Sequence, residues 1–163
     1  MVDTDAGAER TIHASAVLIG SRAVLIRGPS GSGKSRLALT LLQAADQGRL
    51  AFARLVSDDR TLLESTHGRL LVRSVPELAG LLEIRGIGIS KVPYEPAAVV
   101  FLVVDLGADT LRLPETDART ITIKGIVLPR LAVASGVDPM PQLLTETQRL
   151  VEIAFENPAV RAD

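Results

Sequence analysis

Residues Gly28-Pro29-Ser30-Gly31-Ser32-Gly33-Lys34-Ser35 fit the pattern G-x-x-x-x-G-K-[ST], and no other string constrains the fold of this chain so strongly. The glycines let the backbone curl until several N–H groups point inward at an anion, while a helix begins with its positive end beneath the same point. Such a loop has to lie between a strand and a helix. The flanks agree with that order: Arg22-Ala23-Val24-Leu25-Ile26 is a short apolar run of strand character, and Arg36-Leu37-Ala38-Leu39-Thr40-Leu41-Leu42 has helix-forming composition. The string implies a bound nucleoside triphosphate cradled by residues 28 to 35, with Lys34 reaching the outer phosphates and the Ser35 hydroxyl on Mg²⁺. With glycine at about 7% of residues in general, a chain of this length matches the pattern by chance roughly once in a hundred or less. A glycine-rich turn without a ligand is the plain alternative.

A length of 163 residues suits one domain, so residues 11 to 163 are expected to form a single α/β unit behind a polar, flexible leader at 1 to 10. Lys plus Arg number 18 and Asp plus Glu 19, and this near-balance gives no electrostatic case for nucleic acid or an anionic membrane. With three Phe, one Tyr and no Trp, few rings are available to stack on bases. The longest apolar run, Ala97 to Val104, is far short of the roughly 20 residues that cross a bilayer, and residues 1 to 10 lack the apolar stretch of a signal peptide. A cytoplasmic location is the resulting expectation. The absence of cysteine excludes disulfides, zinc-thiolate sites and thiol catalysis.

Gly20-Ser21 separates two apolar runs, Ala14 to Ile19 and Arg22 to Ile26, and predicts a hairpin that gives the loop strand an antiparallel partner. Phe52 to Ser57 reads as a strand ending at Asp58-Asp59, and Arg60 to Leu63 and Leu70 to Arg73 pair across His67-Gly68. Ala97 to Leu106 reads as a central strand buried on both faces. Thr120 to Lys124 and Gly125 to Leu128 add an edge ribbon. A last helix is capped by Asp138 and opened by Pro139, has Leu143, Leu144, Val151 and Ile153 on its apolar face, and stops at Asn157-Pro158. The expected architecture is an α/β core with a mixed sheet.

Phosphoryl transfer needs a cation near the phosphates and often a carboxylate to take the acceptor's proton, so acids at strand ends are the residues of interest. Asp105 follows Phe101-Leu102-Val103-Val104 directly, the usual setting of a metal-bearing acid. Asp58-Asp59 follows a weaker strand but offers paired carboxylates, one for the proton and the other for metal or geometry. On the residues alone both sites stay open. In Leu81-Leu82-Glu83-Ile84-Arg85-Gly86-Ile87-Gly88-Ile89, two glycines and a Glu83-Arg85 pair interrupt an apolar segment, and a bend with a surface ion pair is as good a reading as a functional site.

Taken together, His13-Ala14-Ser15, the loop 28 to 35, Asp58-Asp59 and Leu82-Glu83-Ile84-Arg85-Gly86-Ile87-Gly88-Ile89 resemble the catalytic domain of bacterial HPr kinase/phosphorylase over roughly residues 11 to 132. The resemblance implies a nucleotide-binding core like that of phosphoenolpyruvate carboxykinase. It also implies an ATP- and Mg²⁺-dependent serine protein kinase acting on the phosphocarrier protein HPr of the phosphotransferase system, working as a homo-hexamer. Carried over, it makes Asp58 the acceptor of the serine proton, and the donor in the reverse reaction with phosphate, with His13 beside it tuning its charge. Lys34 would hold the outer phosphates, Ser35 would ligate Mg²⁺, Glu83 would be a second metal-associated acid with Asp59 beside the pair, and Arg112 matches a family arginine at altered spacing. The resemblance shifts the weight from Asp105 to Asp58.

Two departures stand out. Only about a dozen residues precede His13, where the family's long forms carry an N-terminal domain, so regulation through such a domain is not expected. The family's P-x-x-P-G-R-N loop, associated with phosphorolysis of phosphoserine-HPr, corresponds here to Leu128-Pro129-Arg130-Leu131-Ala132, which keeps only a proline and an arginine, so the expected reaction is the forward one. Two further function classes share the same loop: a small-molecule kinase, and a regulatory ATP-binding module without transfer.

Overall fold

The computed structural model describes residues 10–108 and 116–156. β1 (Ile12–Ile19) turns through Gly20-Ser21 into antiparallel β2 (Arg22–Arg27), with Ile19 opposite Arg22. Gly20 has a φ of 64°, a conformation glycine adopts without the steric cost of a Cβ. The loop then leads into α1 (Lys34–Asp46), which buries Leu37, Ala38, Leu41 and Ala44 at the three- and four-residue spacing of one helix face. β3 (Ala53–Ser57) pairs antiparallel with β1 and ends at Asp58. β4 (Arg60–Thr66) and β5 (Arg69–Ser74) form the hairpin expected across His67-Gly68.

β6 (Leu81–Ile84) and β7 (Gly88–Lys91) make a separate two-stranded ribbon. β8 (Ala97–Leu106) is the expected central strand, parallel to β2 on one side and to β10 (Ile126–Val133) on the other, which makes the sheet mixed. β9 (Thr120–Ile123) pairs antiparallel with the first half of β10. The expected ribbon at 120 to 128 is therefore only half an edge: its second strand runs on to Val133 and joins β8, because Leu131 and Val133 pack into the core beside α1. α2 (Met140–Glu156) begins one residue later than expected. The Pro139 carbonyl accepts the N–H of Leu143, and Asp138 Oδ1 accepts that of Met140, so Asp138 does cap the helix while Pro139 stands just outside it. Leu143 is fully buried and Leu144 packs beside it, whereas the side chains of Val151 and Ile153 and the stop at Asn157-Pro158 lie outside the described residues, as do positions 1 to 9 of the leader.

β1 and β8 each change partners along their length. Ile12 and His13 pair with β4 while Ala16 to Ile19 pair with β3. Likewise Ala97 to Val99 pair with β5 and Arg130 to Val133 with the far end of β8. Since β2 also pairs with β8, strands β2-β1-β4-β5-β8 close into a ring. Two cores result. One, with Val24, Ile26, Leu102 and Val104, faces α1; the other, with Ala14, Ala16, Ala23, Leu25, Leu70, Val72 and Val103, is shared by the ring strands. The register of β2 on β8 slips at Ala23/Val24, which leaves Phe101 as an extra residue and puts Val100 and Leu102 in different cores despite their even spacing.

Candidate active site

The loop is shaped by its glycines. Gly31 and Gly33 have φ of 79° and 98°, and Gly33 caps α1 without any side-chain hydrogen bond. The N–H groups of Lys34, Ser35 and Arg36 therefore open the helix where no intrahelical carbonyl reaches them, the arrangement in which an anion is bound. The Lys34 side chain is buried along the loop, and its ammonium donates to the carbonyls of Gly28 at 2.8 Å and Pro29 at 3.1 Å. An ammonium has three N–H donors, so one is left for a ligand.

At Gly28 the constraint is contact. A Cβ there would lie 2.5 Å from Ser32 Oγ and 2.8 Å from the carbonyl oxygen of Leu106, a backbone atom of the central strand that has no room to yield. Gly28→Ala is therefore expected to destabilise the fold by about 1–3 kcal/mol, as overpacking does, and to lower the melting temperature measurably in a thermal scan. An unchanged melting temperature would contradict the close approach.

Asp58 is where separate parts of the chain converge. Its carboxylate is buried; Oδ1 accepts the hydroxyls of Ser35 at 2.7 Å and Ser15 at 2.8 Å, and Oδ2 accepts the N–H of Glu83 at 3.2 Å. The first turn of α1, β1 and β6 thus meet on one side chain. The turn that presents it is pinned to β1: Ala14 N–H donates to the Asp59 carbonyl, and the Thr61 hydroxyl, itself paired with Ser57, donates to the Ala14 carbonyl. Asp59 completes the turn in the left-handed region at φ 66°, an uncommon position for a non-glycine residue, and its carboxylate turns away from Asp58 to pair with His13 Nε2. Both members of that pair are about half exposed.

The structure therefore brings Lys34, Ser35 and Asp58 together and gives His13 to Asp59 instead of Asp58. Glu83 reaches Asp58 through its backbone, with its own side chain exposed at the root of the β6–β7 ribbon. Among the described residues no ion pair joins Glu83 to Arg85; the segment is a hairpin whose turn uses Gly86 at φ 85°. Arg112 lies outside the described residues. Ser15 belongs to the His13-Ala14-Ser15 string of the resemblance but has no role assigned from it; its position two residues after His13, on the same strand face, is the further signal.

The family model of the HPr Serine kinase C-terminal domain matches residues 5–94, more than half of the chain, and the match takes in the loop, Asp58 and Glu83. The chain belongs to the HPr serine kinase family. It is 33% identical over 136 residues to the HPr kinase/phosphorylase of Limosilactobacillus reuteri, an alignment that covers 76% of this chain and 40% of that protein. Identity to the HPr kinase/phosphorylase of an Exiguobacterium species is 45% over 82 residues. The chain thus spans about two fifths, 40%, of the length of the first of these relatives. Among solved structures, the Hpr(Ser) kinase/phosphatase from Coxiella burnetii matches with a TM-score of 0.70 and 27% identity, over 91% of this chain and 99% of that one. The mixed-sheet α/β fold expected from the sequence is that of this family.

In this family member the second strand-end acid, Asp105, is engaged by arginines. Arg27 donates Nε to Oδ1 and Nη2 to Oδ2, each at 2.8 Å, and Arg130 donates Nε to Oδ2 at 2.6 Å. Burial pushes the Asp105 carboxyl up, but the guanidinium N–H groups and charges of Arg27 and Arg130 outweigh it and hold the carboxyl below the ordinary aspartate value of 3.8. A depressed folded-state pKa stabilises the fold above the unfolded value, and that contribution disappears as pH falls below 3.8 through the folded value. The stability difference between the wild type and Asp105→Asn, read by denaturant unfolding, is expected to be larger at about pH 6 than at about pH 3. A difference that stays constant across that range would contradict the charged pairing.

Proposed function

We propose that this chain is an ATP- and Mg²⁺-dependent serine protein kinase whose acceptor is the phosphocarrier protein HPr. The observation that carries this reading is the meeting of Ser15, Ser35 and the Glu83 N–H on the single buried carboxylate of Asp58, beside a loop whose helix N-terminus has no side-chain cap. The family supplies the acceptor, since its relatives are named for HPr.

Residues 28 to 35 would hold the triphosphate, with the spare N–H of Lys34 and the first-turn amides on its outer oxygens. The HPr serine would deliver its hydroxyl proton to Asp58, and to Oδ2 in particular, because Oδ1 already accepts two hydroxyls while Oδ2 holds only the 3.2 Å bond from Glu83. The serine oxygen forms the new bond to the γ-phosphorus, the bridging oxygen leaves with ADP, and the proton stays on Asp58. Catalysis of this kind is positioning with charge stabilisation. Mg²⁺ is usually held by one or two protein oxygens together with phosphate oxygens and water: Ser35, whose hydroxyl meets the Asp58 carboxylate, would be the ligand, and Asp59 and Glu83 would be accompanying acids farther out, since the Asp59 carboxylate is on His13 and Glu83 meets Asp58 through its backbone. When bound, the ion neutralises charge on the transferring group. His13 would act on Asp58 through Asp59, and Arg112 would supply a further positive charge. With phosphate in excess, Asp58 would return the proton in the reverse reaction.

The reading includes a cytoplasmic homo-hexamer without nucleic-acid or membrane partners. The hexamer is what the family resemblance implies; the near-neutral formal charge of −1 offers no attraction to nucleic acid, and among the described residues no helix is long and apolar enough to cross a membrane. Light scattering would test the assembly, with a one-chain mass contradicting it. For the reaction, incubation with γ-labelled ATP and Mg²⁺ should place acid-stable label on HPr only when both are present. Label appearing on small metabolites and not on HPr would favour a metabolite kinase.

A further inference from the structure

Asp105 sits where the loop leaves the sheet. It is the register partner of Arg27 on β2 and of Ala132 on β10, so its ion pairs tie three parallel strands together at the carboxyl ends of β2 and β8. Arg27 immediately precedes Gly28. The residues after Asp105 continue the support, since the Leu106 carbonyl lies 2.8 Å from the place of a Gly28 Cβ, and a Cβ on Gly107 would lie 3.6 Å from Pro29 Cδ. The first half of the loop rests on residues 105 to 107.

A carboxylate has about four lone-pair sites, and here three guanidinium N–H groups occupy Oδ1 and Oδ2. Two cations beside it also repel a third. The apolar run leading into Asp105 is the setting of a metal-bearing acid, but its surroundings are those of an anchor. We infer that Asp105 is a positioning residue for the phosphate loop, acting through Arg27 and the Leu106-Gly107 segment and not as a metal ligand. The inference rests on the nucleotide-binding reading given above.

The test uses the full chain and Asp105→Asn, which keeps the size of the side chain and removes its charge. The ATP dissociation constant and KM for ATP should rise by about tenfold while kcat at saturating ATP stays within about threefold, the signature of lost binding without lost chemistry. Amide exchange at residues 30 to 33 should quicken in the nucleotide-free protein, with the strands β1 and β2 unchanged. A second variant, Arg27→Gln/Asp105→Asn/Arg130→Gln, removes the unpaired guanidiniums that the single change leaves behind. It should recover the melting temperature of the wild type but not its ATP affinity.

Unchanged ATP affinity in the single variant, or recovery of both stability and affinity in the triple one, would overturn the inference and leave only charge balance. Should the triple variant fail to fold, the exchange rates of the single variant decide the matter alone. Wild-type chain that binds no ATP would overturn the nucleotide reading as well, and the titration of the unsubstituted protein tells that failure apart.

Discussion

Asp58→Asn is expected to reduce phosphoryl transfer to HPr by about 10²-fold or more, the usual loss for a general base, while ATP binds within about twofold of the wild type. Asparagine can still accept the hydroxyls of Ser15 and Ser35 through its carbonyl, so the loop and β1 stay in place. Its amide nitrogen would then face the Glu83 N–H, where two donors meet and neither can take a proton from the acceptor serine. The loss should therefore fall on kcat and not on the affinity for ATP. Initial rates at saturating ATP, with calorimetric titration of the same variant, separate the two quantities. An unchanged rate would discard Asp58 as the proton acceptor. A larger loss of kcat in Asp105→Asn would return the role to Asp105.

Lys34→Met should have the largest effect on nucleotide binding. The ammonium is buried and bridges two loop carbonyls, and methionine leaves those of Gly28 and Pro29 without a donor while removing a charge beside the phosphates. Charged hydrogen bonds are worth about 1.5–3 kcal/mol each, so an increase in the ATP dissociation constant of about 10²-fold, near 2.7 kcal/mol, is expected. Arginine in the same place should not restore binding, because a planar guanidinium cannot occupy the space of a compact ammonium between two carbonyls 2.8 and 3.1 Å from it. An ATP affinity within twofold of the wild type in Lys34→Met would contradict this account of the loop.

The elements with strong local signals were readable from residues alone. Gly20-Ser21 marks a hairpin because a glycine takes the positive φ there, and the loop string dictates strand, turn and helix in that order. The closure of β2-β1-β4-β5-β8 was not readable, since it depends on β1 and β8 changing partners halfway along, and nothing in a strand's own sequence records which neighbours it will have. The sequence places the end of β10 at Leu128, whereas the strand runs on through Pro129, which lies opposite Thr120 on the edge strand β9, where a proline's missing N–H is tolerated.

At the site, Asp58 was visible as a strand-end acid, whereas its contacts come from residues 43 positions earlier in Ser15 and 23 earlier in Ser35. The two arginines on Asp105 are separated from it by 78 and 25 positions, so neighbouring sequence alone gave no sign of either. Local pattern identifies which residues carry chemistry; which of them meet is decided by topology.

The most direct test of the central claim is the intact mass of purified HPr after incubation with this protein, ATP and Mg²⁺, beside an HPr variant whose target serine is alanine. The account predicts one added phosphoryl group on the serine-bearing form and none on the variant. ATP binding without any mass change on HPr would contradict it.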